Sequence, residues 1–147
     1  MNKESFGKLF ATIAVTGLAG FSPLQAQDDD QHPLGVEMDE ISGGLKSLRK
    51  LARSDNKWAD SAAAIRKARG HALKSITIVP KEVEALPDGP EKAKALADSA
   101  RLMGMMYAAL CELELAFLNE DEEAVEVAID KCKDIKKEGH EKYYKDE

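Results

Sequence analysis

The sequence predicts an all-α protein, an antiparallel up-down-up-down four-helix bundle. Of its 147 residues, 44% are hydrophobic but only 5% are aromatic and 33% are charged, which is too little aromatic content for a typical sheet protein. Apolar residues recur every three or four positions in four segments of about 20 residues, the spacing of helices that bury one face. Most of the connections are short, which favours antiparallel neighbours.

Residues 1–26 have the features of a secretory signal peptide. Lys3 and Lys8 lie near the start, Leu9 to Phe21 is almost wholly apolar or small, and Leu24-Gln25-Ala26 offers a small residue for cleavage. The apolar run is too short to span a bilayer, so we expect no membrane insertion after cleavage. A signal of this type without an anchor predicts a periplasmic protein.

Residues 27–33 form a polar, acidic tail that we expect to be flexible. His32 follows three aspartates and could contact a metal ion, but we favour its interpretation as a solvated group. The formal net charge is −6, and loss of the signal makes it one unit more negative, because that segment holds Lys3, Lys8 and Glu4. Such a surface disfavours nucleic acid, and any protein partner is expected to present a basic surface.

Residues 34–147 are predicted to form the bundle. The first helix carries its apolar residues on one stripe, made of Leu34, Met38, Ile41, Leu45, Leu48 and Ala52. Gly43 and Gly44 interrupt it, each at a cost of about 1 kcal/mol relative to alanine. We therefore expect another element to approach closely there.

The second helix follows the capping run Ser54-Asp55-Asn56 and buries Trp58, Ala62, Ile65, Ala72, Leu73 and Ile76. The run Thr77-Ile78-Val79-Pro80 ends it, because β-branched residues and proline disfavour helix. One long connection, from Lys81 to Gly89, leads to the third helix.

Asp88-Gly89-Pro90-Glu91 predicts the start of the third helix, whose inward residues are Leu96, Ala100, Met103, Tyr107, Leu110, Leu113 and Phe117. A tight turn at Asn119-Glu120-Asp121 leads to the fourth helix, with Val125, Ala128, Ile129, Cys132, Ile135 and Gly139 inward. Its first turn is acidic and its last turn is basic, as the helix dipole favours.

The antiparallel order should bring Met38, from the first helix, to the same end of the core as His140, from the last. The predicted walls of this pocket are Leu73, Ile76, Thr77, Val83, Leu86, Leu96, Ala100 and Met103. A thioether facing an imidazole is the axial ligand pair of electron-transfer haem iron, in which the sulfur raises the reduction potential.

Three motifs can be singled out along the chain: Met38-Asp39-Glu40-Ile41 leading to Leu45-Lys46, Pro80-Lys81 with Pro87-Asp88-Gly89-Pro90-Glu91, and His140-Glu141-Lys142-Tyr143. Together they resemble the soluble cytochrome b562 family of periplasmic four-helix haem proteins. The resemblance, which spans essentially all of the chain after residue 26, implies one non-covalent haem b per chain, Met38 and His140 as its axial ligands, and an electron-transfer role with a redox partner protein. No Cys-x-x-Cys-His is present, which excludes the usual covalent attachment. We expect a monomer.

The chain also departs from this family. Ala100, Met103 and Gly104 stand where the family packs aromatic rings against the porphyrin, Gly139 replaces a bulky residue, and Tyr144 replaces a basic one. These differences leave a second hypothesis, a haem-free periplasmic helical bundle that acts as a binding or chaperone-like module.

Cys111 and Cys132 lie about equally far from the last turn, so they fall at one level of two antiparallel helices. The oxidising periplasm permits a disulfide, but packed helices are usually about 8 to 10 Å apart and bridged Cα atoms lie within about 7 Å. A disulfide and two free thiols both remain open.

Other residues give weaker indications of a functional site. His71 is interpreted as a surface or boundary residue, and Met103, Met105 and Met106 as core filler. The sequence contains no nucleophile with a base partner, no phosphate loop and no Glu-x-x-His di-metal motif, so we predict that the protein is not an enzyme.

Overall fold

A computed structural model describes residues 32–143, and within them the chain is all-helical without strands, as predicted. The helices are α1 (Pro33–Leu51), α2 (Lys57–Ser75), α3 (Lys81–Glu84), α4 (Pro90–Leu118) and α5 (Glu122–Tyr143). The predicted signal peptide and the tail up to residue 31 lie outside the described residues, as does Tyr144. None of the helices described is long and apolar enough to cross a membrane.

Helix α1 begins at Pro33, one residue before the predicted start, because proline suits the first position of a helix. His32 precedes it as the capping residue, and its Nδ1 accepts a hydrogen bond from the backbone N–H of Leu34 at 3.3 Å. Its side chain is only 19% exposed, and Nε2 lies 3.8 Å from a carboxylate oxygen of Glu84. The interpretation of His32 as a solvated tail residue is therefore wrong.

The connection after α2 holds the short helix α3, where the sequence predicts only a long loop. Pro80 caps this helix, and the fully buried Val83 anchors it against the core. The chain then reaches Gly89, whose φ of 157° lies in the region that favours glycine, before α4 begins. This segment covers the end of the molecule where α1 begins and α5 ends.

The long helices pack mainly in chain order: α1 on α2, α2 on α4, and α4 on α5. The main core is formed by large apolar side chains from these four helices, among them Ile41, Leu48, Ile65, Leu102, Met106, Leu110, Leu113, Phe117, Val125, Ile129 and Ile135. The backbones of α1 and α5 make no comparably close contact in the part of the chain described. These two helices are therefore joined by core side chains and not by close backbone packing.

Helix α1 approaches α2 closely at Gly44, as expected from the sequence. A Cβ atom built on Gly44 would lie 2.8 Å from the Cβ of Ala68, which is too close for two real Cβ atoms. The neighbouring Gly43 has no such contact within 4 Å. Only the second glycine of the pair is therefore required by packing.

Candidate functional site

An apolar crevice of about 500 Å³, open mouth included, lies where four segments meet: the start of α1, the segment after α2, the first half of α4 and the end of α5. It is lined by Leu34, Met38, Ile78, Pro80, Ser99, Leu102, Met103, Met106, Ile135, Lys136, Gly139, His140 and Tyr143. Its enclosed part measures only about 40 Å³. A large organic group would therefore need the side chains at the mouth to move apart.

Met38 and His140 both line this crevice, so the structure brings the two predicted ligand residues together from opposite ends of the chain. Each side chain is half-buried. Met38 lies in the second turn of α1 and His140 in the last turn of α5, the two helices whose backbones stay apart. A thioether and an imidazole thus line one apolar space.

Few polar groups of the lining are available to a ligand. The hydroxyl of Ser99 donates to the backbone carbonyl of Leu96 at 3.0 Å. The hydroxyl of Tyr143 lies 2.9 Å from Oδ2 of Asp98 and 3.3 Å from the carbonyl of Ala95. Burial of apolar surface is therefore the main source of affinity that the lining offers.

Lys136 is the one lining residue with a Lys, Arg, Asp or Glu side chain. Burial lowers the pKa of its ammonium group, and the positive charge of Lys46 on α1 lowers it further, whereas the carboxylate of Asp39 raises it. Lys136 on α5 therefore senses charges on α1, across the gap between the two helices.

A cluster of charged side chains and one tyrosine, here named the α4–α5 clamp, fixes the last turns of α5 against α4. It consists of Asp98, Arg101, Glu138, Lys142 and Tyr143. The Lys142 ammonium lies 2.9 Å from both carboxylates, and Nη2 of Arg101 lies 2.8 Å from Asp98 and 2.6 Å from Glu138. His140 is carried by the turn that this clamp holds.

The clamp also changes the acidity of its members. The hydrogen bond from Lys142 is the main reason that the pKa of Asp98 falls to about 2, with Arg101 and Tyr143 adding to the effect. Burial, together with the hydrogen bond to Asp98, raises the pKa of the Tyr143 phenol to about 12. Asp98 is thus ionised, and Tyr143 protonated, at any ordinary pH.

A second cluster joins the start of α1 to α2. Nδ1 of His71 lies 2.5 Å from Oε2 of Glu37, and its Nε2 lies 3.7 Å from Glu40. The ammonium of Lys74 is 3.8 Å from the other oxygen of Glu37. His71 is therefore partly buried between α1 and α2, in agreement with its interpretation as a surface or boundary residue, and it contacts the turn of α1 that carries Met38.

The prediction of the crevice walls is mostly wrong, because Met103 alone of the predicted residues is among those that line the crevice. Leu73 is 54% exposed, while Leu86 and Leu96 are each 36% exposed. Val83 is buried but lies outside the lining. Ile76, Thr77 and Ala100 are not lining residues either.

The errors have two physical causes. Helix α2 ends at Ser75, so the non-helical residues Ile78 and Pro80 reach the crevice in place of its last turn. On α4 the face that turns inward holds Ser99, Leu102 and Met106, because this helix packs against α2, α3 and α5 and has apolar residues on more than one side. The spacing of three and then four residues between them was the signal that could have identified this face.

Cys111 and Cys132 are both free thiols, so the disulfide alternative is wrong for this structure. The sulfur of Cys111 lies 4.0 Å from Nη1 of Arg69 on α2 and thus on a different side of α4 from α5. Cys132 is buried, and its burial raises the pKa of the thiol to about 12. Neither cysteine lines the crevice.

Within residues 32–143, no three or more His, Cys, Asp and Glu side chains are grouped so that they could hold a metal ion. No protein-family model, no curated protein sequence and no solved structure matches the chain. The function must therefore be argued from the crevice itself.

Proposed function

We propose that this chain is a b-type haem-binding electron-transfer protein of the periplasm, with Met38 and His140 as the axial ligands of one non-covalent haem b. The observation that carries the proposal is that these two residues, far apart in sequence, line one apolar crevice. We further propose that the four long helices form the antiparallel bundle of the soluble cytochrome b562 family, with residues 1–26 as the signal peptide.

The residues present are compatible with a haem group. Porphyrin is flat, large and mostly apolar, and the crevice is lined mainly by apolar side chains and opens to the surface. Met38 and His140 lie on α1 and α5, which are not in close backbone contact, so a planar group would enter between these two helices as their side chains move apart. A Cβ built on Gly139, beside His140, would meet no atom within 4 Å, which leaves further space at this wall.

The two ligands have different tasks in this proposal. The imidazole of His140 supplies the stronger bond, and the α4–α5 clamp holds the turn that carries it. The thioether of Met38 favours the reduced state and raises the potential. A haem iron held in this way supplies reversible one-electron transfer, while the apolar walls exclude water.

Replacing each ligand tests this assignment. Purified apoprotein is titrated with haemin, and the spectrum, the haem stoichiometry and the midpoint potential are measured for the parent, Met38→Ala, His140→Ala and the control Met105→Ala. Met105 lies outside the crevice and is 41% exposed. We expect His140→Ala to lose most of its haem, and Met38→Ala to retain some haem in a high-spin form with a lower potential.

The control should behave as the parent. If Met38→Ala and His140→Ala both leave the low-spin spectrum and the haem stoichiometry unchanged, the ligand assignment is wrong. If the parent takes up no haem at all, the haem-free binding module becomes the better hypothesis.

A further inference from the structure

The crevice is lined by methionine residues as well as by other apolar side chains. The described residues include four methionines, and three of them, Met38, Met103 and Met106, line it. Met103 and Met106 are one turn apart on α4, while Met38 comes from α1 and the imidazole of His140 from α5. Three helices thus contribute three thioethers and one imidazole to a single space.

Met105 lies between Met103 and Met106 in the sequence, but its side chain lies outside the crevice. It is 41% exposed, and its sulfur lies 2.9 Å from Nη1 of Arg101, outside the crevice. The short run of methionines on α4 is therefore divided by the helical period, with Met103 and Met106 facing inward and Met105 outward. This division provides an internal control.

We propose that the haem-free crevice binds one Cu(I) ion through the sulfurs of Met38, Met103 and Met106 and the imidazole of His140. This inference goes beyond the proposed haem function and does not rest on it. Haem and Cu(I) would exclude each other, because both would bind Met38 and His140.

The donor set selects the ion. Soft thioether ligands favour Cu(I), whereas carboxylate and carbonyl oxygens favour magnesium, calcium and manganese. No carboxylate lines the crevice, and the hydroxyls of Ser99 and Tyr143 are bonded to α4. The positive charge of Lys136 in the lining opposes a divalent ion more strongly than a monovalent one.

The methionines can adjust to an ion without a change of fold. A methionine side chain has three rotatable bonds and a polarisable sulfur. Met38 and Met103 are half-buried and lie at the edge of the core, whereas Met106 is 1% exposed. Movement of the first two side chains toward Met106 and His140 would complete the coordination of a Cu(I) ion.

The two thiols are potential competitors for Cu(I), because thiolate is also a soft ligand. Cys111 is half-buried and lies beside Arg69, away from the crevice, while Cys132 is buried. The experiment therefore uses the full chain with Cys111→Ser and Cys132→Ala, beside the unaltered chain. Copper that is bound only when the thiols are present does not occupy the proposed site.

The test is an anaerobic titration of haem-free protein with Cu(I), supplied as its acetonitrile complex in competition with bicinchoninate. We expect one Cu(I) per thiol-free chain. Met103→Leu, Met106→Leu and His140→Ala should each lower the affinity roughly tenfold or more, whereas Met105→Leu should leave it unchanged. Leucine conserves most of the volume of methionine, so these variants should stay folded, which circular dichroism can check.

A second measurement, on the thiol-free chain, locates the ion without replacing any methionine. Methyl-labelled methionine spectra are recorded with Ag(I), a diamagnetic ion of similar softness. The methyl signals of Met38, Met103 and Met106 should shift at one equivalent, and that of Met105 should not.

Three results would overturn the proposal: no stoichiometric Cu(I) binding by the thiol-free chain, equal affinity in Met103→Leu and the parent, or silver shifts that spare the crevice methionines. Met103 is half-buried, so its variant carries the test even if Met106→Leu fails to fold. Haemin titration of Met103→Leu tests the haem proposal separately from the Cu(I) proposal, because that variant retains both axial ligands.

Discussion

At the scale of single residues, Asp98 connects the electrostatics of the molecule to its stability. It receives hydrogen bonds from Lys142 and Tyr143 on α5 and from Arg101 on its own helix. These partners stabilise the ionised carboxylate and lower its pKa from the usual 3.8 to about 2. Folding is therefore linked to the ionisation of this group.

Because the pKa of Asp98 is lower in the folded state, its contribution to stability is complete above its ordinary pKa and is lost as the pH falls toward about 2. Asp98→Asn should be less stable than the parent at pH 6, and this difference should shrink steadily between about pH 4 and about pH 2. Urea unfolding of both proteins across this range measures it.

Asp130→Asn is the matched control, since Asp130 pairs at 2.9 Å with Lys133 on the same helix and joins no two helices. Its effect on the free energy of unfolding at pH 6 should be the smaller one. A pH-independent difference between Asp98→Asn and the parent would contradict the role assigned to the clamp.

At the scale of the helix, Gly43 and Gly44 should respond oppositely to the same substitution. Gly43→Ala adds a methyl group into open space and improves helix propensity, so it should stabilise the protein by up to about 1 kcal/mol. Gly44→Ala places a Cβ 2.8 Å from that of Ala68, so it should destabilise by about 1 to 3 kcal/mol through overpacking.

Denaturant unfolding of the two variants measures both effects. Adding Ala68→Gly to Gly44→Ala removes the atom that the new methyl group meets and should recover part of the loss. Equal stabilisation by Gly43→Ala and Gly44→Ala would show that α1 and α2 are not in close contact at this point.

The sequence predicted the four long helices well, because several of their ends are marked locally, by the capping run that ends at Asn56, by Pro90 and by the turn around Glu120. It failed on contacts between distant segments. The partner of His71, for example, is Glu37, which lies 34 positions away, and no local pattern links the two.

The same limit applies to the candidate site. Met38 and His140 could be placed at one end because they lie on regular apolar stripes of terminal helices. The walls could not, because α3 was not foreseen and α4 has more than one apolar side. Lys136 and Tyr143 were missed as lining residues because they are polar, yet both lie on the same side of α5 as His140.

At the scale of the whole molecule, helices from the two ends of the described chain border one crevice while their backbones remain apart. Consecutive helices pack closely on one another and form most of the core. This division of roles allows a binding space to exist beside a well-packed interior, and it is the basis for both ligands proposed here.

The most direct test of the central claim is the state of Met38 in the haem-loaded protein. Haem content is measured first, and the methionine methyl signals are then recorded by NMR in the reduced form. We expect one low-spin haem per chain and a Met38 methyl signal shifted strongly upfield by the porphyrin ring current, with Met105 unaffected. A chain that takes up no haem, or holds it with the Met38 methyl at its ordinary position, would contradict the proposed ligation.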